Sequence, residues 1–168
     1  VRHRAGFPDS FFERIVRWEI GLSGQQIVDV GTGTGTLARG FARRGCRVTG
    51  IDPSESMLAQ ARRLDEGAGV MSVVYRAGQA EHTGLDAESA DVVTAGQCWH
   101  WFDHPAAAIE VARVLRSTGF IVIAHFDWLP LTGNVVAATE DLILKHNPDW
   151  HNDPGGLSWI FCDEIIVN

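Results

Sequence analysis

The chain has 168 residues, of which 45% are hydrophobic and 21% are charged, which is ordinary for one soluble globular domain with a sizeable core. Its formal net charge of −7 disfavours a nucleic-acid-binding protein, which needs a basic face for the phosphates. No apolar run approaches the length that spans a bilayer, so we expect no membrane partner.

The cysteines and the first residues indicate a cytoplasmic protein. Cys46, Cys98 and Cys162 are odd in number and have no Cys-x-x-Cys spacing, so we expect reduced thiols. The first six residues carry charges and precede Pro8, and no signal peptide is recognised there.

The first predicted element is a helix that begins at Ser10 and reaches about Glu19. Ser10 and Glu13 match a capping box. The apolar residues Phe11 and Ile15 recur at helical spacing. The pattern therefore predicts a short amphipathic helix before the first strand.

Strands and helices alternate after this first helix. The predicted strands are, in chain order, QQIVDV, CRVTGID, MSVVYRAG, ADVVTAG and FIVIAHF. The predicted helices are TLARGFARRG, PSESMLAQARRLDEG, HPAAAIEVARVLRSTG and NVVAATEDLILKHN. Gly45 ends the first of these helices, and Pro53 and Ser54 begin the second. In the third helix Pro105 lies in the first turn, and Gly119 follows the last. Such alternation predicts βαβ units and a parallel sheet with helices on both faces.

Three glycines, Gly31, Gly33 and Gly35, separate the first strand from the helix that follows it. Without Cβ atoms a ligand can lie against the backbone, and unpaired amides at the helix start can meet it. A Walker A loop is excluded because no Gly-Lys-Ser/Thr follows. The loop alone is compatible with several nucleotide cofactors.

Two acids narrow the choice of cofactor. Asp52 is the last residue of the second predicted strand, a position at which an acid accepts hydrogen bonds from ribose hydroxyls. The alternative role for Asp52 is to cap the N-terminus of the next helix. Asp29 precedes the glycines, and its alternative is a buried acid that loop amides satisfy. The stretch GTGTLA also matches the GxGxxA pattern of dinucleotide enzymes. An acid beside a pyrophosphate is repulsive, however, whereas it suits a positively charged sulfonium with an α-amino group.

Four blocks in the expected order resemble class I S-adenosylmethionine-dependent methyltransferases of the small-molecule type. They are VDVGTGTGTLA, VTGIDPSESMLAQAR, RAGQAEHTGLDAESADVVTAGQCWHWFD and EVARVLRSTGFIVI. The resemblance covers about residues 27–126. It implies a Rossmann-like, doubly wound α/β fold with a mostly parallel sheet of order 3-2-1-4-5. It also implies in-line transfer of the methyl group to a small-molecule acceptor, which leaves S-adenosylhomocysteine.

The resemblance places the cofactor at the ends of the first, second and third strands. The residues that it assigns to cofactor binding are Asp29, Gly31, Thr32, Gly33, Gly35, Asp52, Pro53, Ser54, Met57, Gln79, Ala80, Glu81 and Gly96. The first block surrounds the methionine part, and Asp52 holds the ribose. Gln79 stands where the family has an Asp that accepts from the adenine amino group, and a Gln oxygen can replace it.

The resemblance implies that the acceptor meets the methyl group at AGQCWHWF, the stretch near the end of the third of these blocks. The residues expected to bind the acceptor are Gln97, Trp99, Trp101 and Trp128, and His100 is the expected base or positioning group. The alternatives are core packing for the tryptophans and a structural or gate-lining role for His100. A metal pair formed by His100 and His104 is rejected because a third ligand is missing, so we expect no metal.

The expected organisation is a single domain over residues 1–168, with an N-terminal helical segment (1–24), a cofactor-binding core (27–126) and a partial substrate or lid region (127–168). The family's closing antiparallel hairpin after the fifth strand is not recognised, although WIFCDEIIVN could supply one short strand. We expect the edge of the fifth strand to be covered by C-terminal residues or by a homodimer partner. A second function therefore stays open: a methyltransferase fold that binds the cofactor or a partner without turnover. An NAD-dependent oxidoreductase is the weaker alternative.

Overall fold

Five parallel strands form the centre of the fold in a computed structural model, which describes residues 6–125 and 132–148. The strands are β1 (Gln26–Val30), β2 (Arg47–Asp52), β3 (Val73–Ala77), β4 (Ala90–Gly96) and β5 (Leu115–Ala124). Their order is β3-β2-β1-β4-β5, and every neighbouring pair is parallel. This confirms the predicted order, with its reversal between β1 and β4.

The helices are α1 (Asp9–Ile15), α2 (Thr36–Ala42), α3 (Glu55–Ala68), α4 (His104–Val114) and α5 (Val135–His146). Short 3-10 turns follow α1 at Val16–Trp18 and precede α4 at Trp99–Trp101. The Ser54 hydroxyl caps α3 by accepting from the amide of Met57 at 3.4 Å. Each helix predicted from the sequence is present.

Two hydrophobic clusters cover the two faces of the sheet. Buried residues of α1, α2 and α3, including Phe12, Phe41 and Leu58, pack together with Ile27 of β1. Buried residues of α4 pack with Val28 on the opposite face. Because neighbouring strand residues point to opposite faces, β1 is buried on both sides, as a central parallel strand must be.

The N-terminal cap prediction is wrong. The chain enters α1 at Asp9, the N-cap position is Pro8, and no side chain caps the helix. The amide of Phe11 already donates to the carbonyl of Pro8 at 3.0 Å, which places Ser10 inside the first turn. The α-helix ends at Ile15, earlier than expected.

The start of β5 is also corrected. Helix α4 ends at Val114, and β5 begins at Leu115 rather than at Phe120, so Gly119 lies within the strand instead of after a helix. Leu115 pairs with Ala90 while Phe120 pairs with Val92, so the intervening residues of β5 form a bulge. Pairing with β4 overrides the turn signal of Ser-Thr-Gly.

The described residues up to Ala124 form one compact unit, and α5 lies in a second one. In the described ranges no helix has the length and apolarity that crossing a membrane requires. Trp128 and the predicted extra strand in residues 159–168 lie outside the described residues. The predicted domain organisation stays a prediction.

Candidate functional site

The Asp52 carboxylate joins the glycine loop to the start of α3. One oxygen accepts from the amide of Gly33 at 2.9 Å, and the other accepts from the amide of Ser54 at 2.9 Å. The amide of Gly78, after β3, reaches the carbonyl of Asp52 at 3.3 Å. Since Ser54 is the N-cap of α3, the capping alternative for Asp52 is wrong. A carboxylate has about four acceptor positions, so each oxygen can take a second hydrogen bond from a ligand.

Three backbone amides of the glycine loop donate hydrogen bonds within the protein. The amide of Thr32 donates to the carbonyl of Ile51 at 3.0 Å, and that of Gly35 donates to the carbonyl of Thr32 at 2.9 Å. The amide of Gly33 is held by Asp52. The loop is therefore preorganised by its own chain.

The three glycines differ in what surrounds them. All three have positive φ, of 64°, 56° and 74° for Gly31, Gly33 and Gly35. A Cβ at Gly31 would lie 2.7 Å from the Cys98 sulfur, and one at Gly35 would strike the Tyr75 ring. Among the described residues, a Cβ at Gly33 would have one neighbour within 4 Å, the terminal carbon of Met57 at 3.4 Å. Open space therefore lies above Gly33, while protein atoms fill the other two positions.

Asp29 lies beneath the loop and is 1% exposed. Its two oxygens accept from the hydroxyls of Thr32 at 2.6 Å and Thr94 at 2.7 Å. Burial raises the pKa of Asp29 to about 6, although these hydrogen bonds oppose the shift. The acid is thus satisfied chiefly by hydroxyls, and it orients Thr32 within the loop. Its direct contact with a cofactor stays a prediction.

A buried polar network that was not predicted from the sequence supports the glycine loop. The Tyr75 hydroxyl donates to Asp65 at 2.8 Å, and Arg39 Nε donates to the other oxygen of Asp65. Arg39 also donates to the carbonyl of Thr34, inside the loop, at 2.9 Å. A signal was present, because Asp65 continues the apolar face of α3 seven residues after Leu58, where a charge needs a buried partner.

The third block connects β3 to the start of α4. Gln79 is exposed, and its backbone forms an isolated antiparallel β-bridge with His82. Ala80 is buried. Glu81 accepts from the amide of Asp103 at 2.8 Å. This contact places Glu81 between the expected cofactor region and the turn that precedes α4, a role that sequence spacing did not indicate.

The end of β4 lies beside the glycine loop. Gly96 is the last residue of the strand, and Gln97 and Cys98 follow it. A Cβ at Gly96 would lie 2.8 Å from the Phe7 ring, so the N-terminal segment lies against the end of β4. The Cys98 thiol donates to the carbonyl of Val30 at 3.2 Å, and burial raises its pKa to about 12. Cys98 is therefore a packing residue in its thiol form.

The aromatic turn, defined here as Trp99–Phe102, follows at once. Trp99 is half-buried; its ring centroid lies 5.8 Å from that of Phe102 and is stacked on His104 at 5.7 Å. Trp101 is 79% exposed, so core packing is excluded for this residue. His100 is exposed, and its ring lies 4.9 Å from that of Trp101. Of the two tryptophans in the turn, Trp99 is therefore packed and Trp101 is open to solvent.

A family model described as a methyltransferase domain matches residues 28–123, which is more than half of the chain. The chain belongs to this methyltransferase family. The class I, S-adenosylmethionine-dependent assignment made from the sequence is confirmed, and the family implies use of that cofactor.

Relatives of this chain include an uncharacterised methyltransferase of Mycobacterium tuberculosis. It is 28% identical over 170 residues, which cover 90% of this chain and 66% of the relative. A ubiquinone biosynthesis O-methyltransferase of Alkalilimnicola ehrlichii is 38% identical over 112 residues, or 66% of this chain and 45% of the relative. The chain thus spans two thirds or less of the length of these relatives.

Solved structures share the fold. A protein of Anaeromyxobacter dehalogenans assigned as a type II methyltransferase superposes with a TM-score of 0.67 at 30% identity, over 84% of this chain and 57% of that one. The [4+2]-cyclase SpnF superposes with a TM-score of 0.62 at 26% identity, over 71% of this chain and 47% of that one.

The side chains at this edge of the sheet fit an adenosyl cofactor. Asp52 has acceptor positions for ribose hydroxyls, and the open space above Gly33 beside Met57 leaves the backbone accessible. Ser54 caps α3 and so holds the backbone between Asp52 and the helix in place. Pro53, which lies between these two residues, is exposed.

Proposed function

We propose that this chain binds S-adenosylmethionine at the carboxyl ends of β1, β2 and β4 and transfers its methyl group to a small-molecule acceptor. The position of Asp52 carries the proposal: its carboxylate is fixed by the amides of Gly33 and Ser54, and its remaining acceptor positions suit two ribose hydroxyls. A ligand held there lies at the point where the strand order reverses, where such sheets bind ligands.

The remaining contacts are assigned by position. Met57, beside the open space above Gly33, covers the adenosine, and Gln79 with the backbone of Ala80 binds the adenine ring. Asp29 acts through the Thr32 hydroxyl that it orients. These side chains bind and orient, and none of them needs to transfer a proton.

The bound cofactor supplies a methyl group on a positively charged sulfur, with a neutral leaving group. The chain's task is to hold the acceptor in line with that methyl group and to exclude water, and such orientation is worth roughly 7–11 kcal/mol of the barrier. The aromatic turn is the proposed acceptor surface, with Trp101 available to contact an apolar ring. His100, next to it, accepts the proton of a hydroxyl acceptor, which adds roughly 10²–10⁴-fold.

An oxygen acceptor on a small organic molecule is the favoured substrate class. Its support comes from the relatives named ubiquinone biosynthesis O-methyltransferases, at 38% and 35% identity. The exposed Trp101 agrees with an acceptor that carries a flat apolar group. Simple phenols and catechols are therefore the first compounds to screen.

Calorimetric titration with S-adenosylhomocysteine tests the binding step. We expect the wild type to bind and Asp52→Asn to lose about tenfold or more in affinity, because hydrogen bonds to a charged acceptor are worth about 1.5–3 kcal/mol. Asp86→Asn, an exposed acid just before the amino end of β4, is the matched control and should bind like the wild type. No heat with the wild type would disprove the cofactor assignment, and equal affinity in Asp52→Asn would disprove the ribose assignment.

A methyl-transfer assay with the acceptor panel separates an enzyme from a fold that only binds. The similarity to SpnF is the reason for this assay, since that protein is named as a [4+2]-cyclase and not as a methyltransferase. Binding of S-adenosylhomocysteine without transfer to any acceptor supports binding without turnover. Binding of NAD in the same calorimeter, in place of S-adenosylhomocysteine, would support the oxidoreductase.

A further inference from the structure

Gln97 combines a strained backbone with a buried side-chain nitrogen that lacks a partner. Its φ is +63°, a left-handed conformation that non-glycine residues rarely adopt. Its Nε2 atom is buried and has no hydrogen-bond partner among the residues that the structure describes. Both features cost free energy, and such costs concentrate where a ligand is bound.

The surroundings of Gln97 place it beside the glycine loop. Its backbone amide donates to the carbonyl of Ala124 at 2.8 Å, which ties the end of β4 to the end of β5. The next residue, Cys98, packs against Gly31, and the preceding residue, Gly96, packs against Phe7. Gln97 is therefore held at the reversal of strand order, close to the first glycine of the loop.

The neighbouring side-chain donors already have acceptors. The hydroxyls of Thr32 and Thr94 donate to Asp29. Arg39 donates to Asp65 and to the carbonyl of Thr34. In the described part of the chain, Gln97 Nε2 is thus the buried side-chain nitrogen that is left for a ligand.

The methionine end of the cofactor needs such a donor. That end is a zwitterion, whose ammonium group requires acceptors and whose carboxylate requires N–H or O–H donors. We propose that the Gln97 side-chain amide donates to the α-carboxylate of the cofactor, rather than to the methyl acceptor as the sequence suggested. This inference rests on the proposed function and deepens it, because it names the ligand group that Gln97 binds.

Two ligands that differ in that carboxylate test the assignment. S-adenosylhomocysteine carries the α-carboxylate, whereas 5′-methylthioadenosine keeps the adenosine and sulfur but lacks the amino acid end. Calorimetry would compare the wild type with Gln97→Met, which keeps the side-chain length but removes the donor. The matched control is Gln26→Met, at the opposite, amino end of the sheet in β1.

We expect Gln97→Met to bind S-adenosylhomocysteine about tenfold or more weakly and to bind 5′-methylthioadenosine within about twofold of the wild type. Gln97→Gly should show the same selectivity with a higher Tm, because glycine adopts the left-handed conformation without strain. It keeps the test valid if the Met variant does not fold. Gln26→Met should bind both ligands normally.

Two outcomes would overturn the assignment while the proposed function stands. One is unchanged affinity for S-adenosylhomocysteine in both Gln97 variants, and the other is an equal loss for both ligands, which would indicate general damage to the site. Failure of the wild type to bind either ligand would instead contradict the proposed function itself.

Discussion

The Tyr75 hydroxyl donates to the buried carboxylate of Asp65 at 2.8 Å, beneath the glycine loop. The Tyr75 ring covers Gly50 of β2, where a Cβ would lie 2.8 Å from it, and its hydroxyl end reaches Gly35. Asp65 in turn holds Arg39, which binds the carbonyl of Thr34. A side chain on β3 therefore supports the loop that follows β1.

Tyr75→Phe should weaken the fold because it removes the donor and leaves one Asp65 oxygen buried without a partner. We expect the free energy of unfolding, measured in urea, to fall by about 1–3 kcal/mol. The affinity for S-adenosylhomocysteine should fall as well, since the loop loses its support. An unchanged free energy of unfolding would show that Tyr75 contributes by packing alone.

Gly35→Ala should be far more harmful than Gly69→Ala, although both glycines have similar positive φ, of 74° and 68°. A Cβ at Gly69 meets nothing within 4 Å, so only left-handed strain of about 1–2 kcal/mol is added. At Gly35 the Cβ would also strike Tyr75, and overpacking adds about 1–3 kcal/mol. Equal losses of unfolding free energy in the two variants would contradict the steric role of Tyr75.

The stability of the protein should depend on pH through Asp29. Its folded pKa of about 6 lies above its ordinary value of 3.8, so the folded state binds this proton more tightly. The contribution of Asp29 to stability is therefore complete below pH 3.8 and decreases as the pH rises to about 6. The shift corresponds to about 3 kcal/mol.

Denaturant unfolding of the wild type and Asp29→Asn between pH 4 and pH 7.5 measures this effect. The advantage of the wild type over the variant should shrink by up to about 3 kcal/mol across that range. Glu110 does not interfere, because its hydrogen bonds with Arg113 hold its pKa at about 2 and both proteins share it. Parallel pH curves for the two proteins would contradict the raised pKa of Asp29.

Removing the Glu81 carboxylate should loosen the aromatic turn. Glu81→Ala leaves the amide of Asp103 without its acceptor, and Asp103 also caps α4. We expect faster hydrogen exchange in residues 98–103 and a loss of about 1 kcal/mol of stability. Glu81→Gln keeps an acceptor oxygen and should exchange like the wild type. Unchanged exchange in Glu81→Ala would show that the contact does not hold the turn.

Much of the candidate site could be predicted because its signals are local. The glycines between β1 and α2 indicated a backbone that a ligand can approach closely. Asp52 at the end of β2 had to lie beside them, since the ends of adjacent parallel strands meet at one edge. Two predicted element boundaries were wrong. Pro8 moved the start of α1 away from Ser10, and pairing with β4 extended β5 through Gly119.

By itself, then, the sequence determined the alternation of strands and helices, the family, and the edge of the sheet where the acids and glycines gather. Periodicity, turn residues and motif spacing encode these features within short stretches of chain. The tertiary structure decided what those residues touch: Tyr75 fills the space at Gly35, and Glu81 accepts from the amide of Asp103. The side-chain Nε2 of Gln97 is buried and has no hydrogen-bond partner among the described residues. The first two contacts join residues that are far apart in the chain, and the third feature depends on what surrounds one side chain. Such features are determined only when the sheet and the helices pack together.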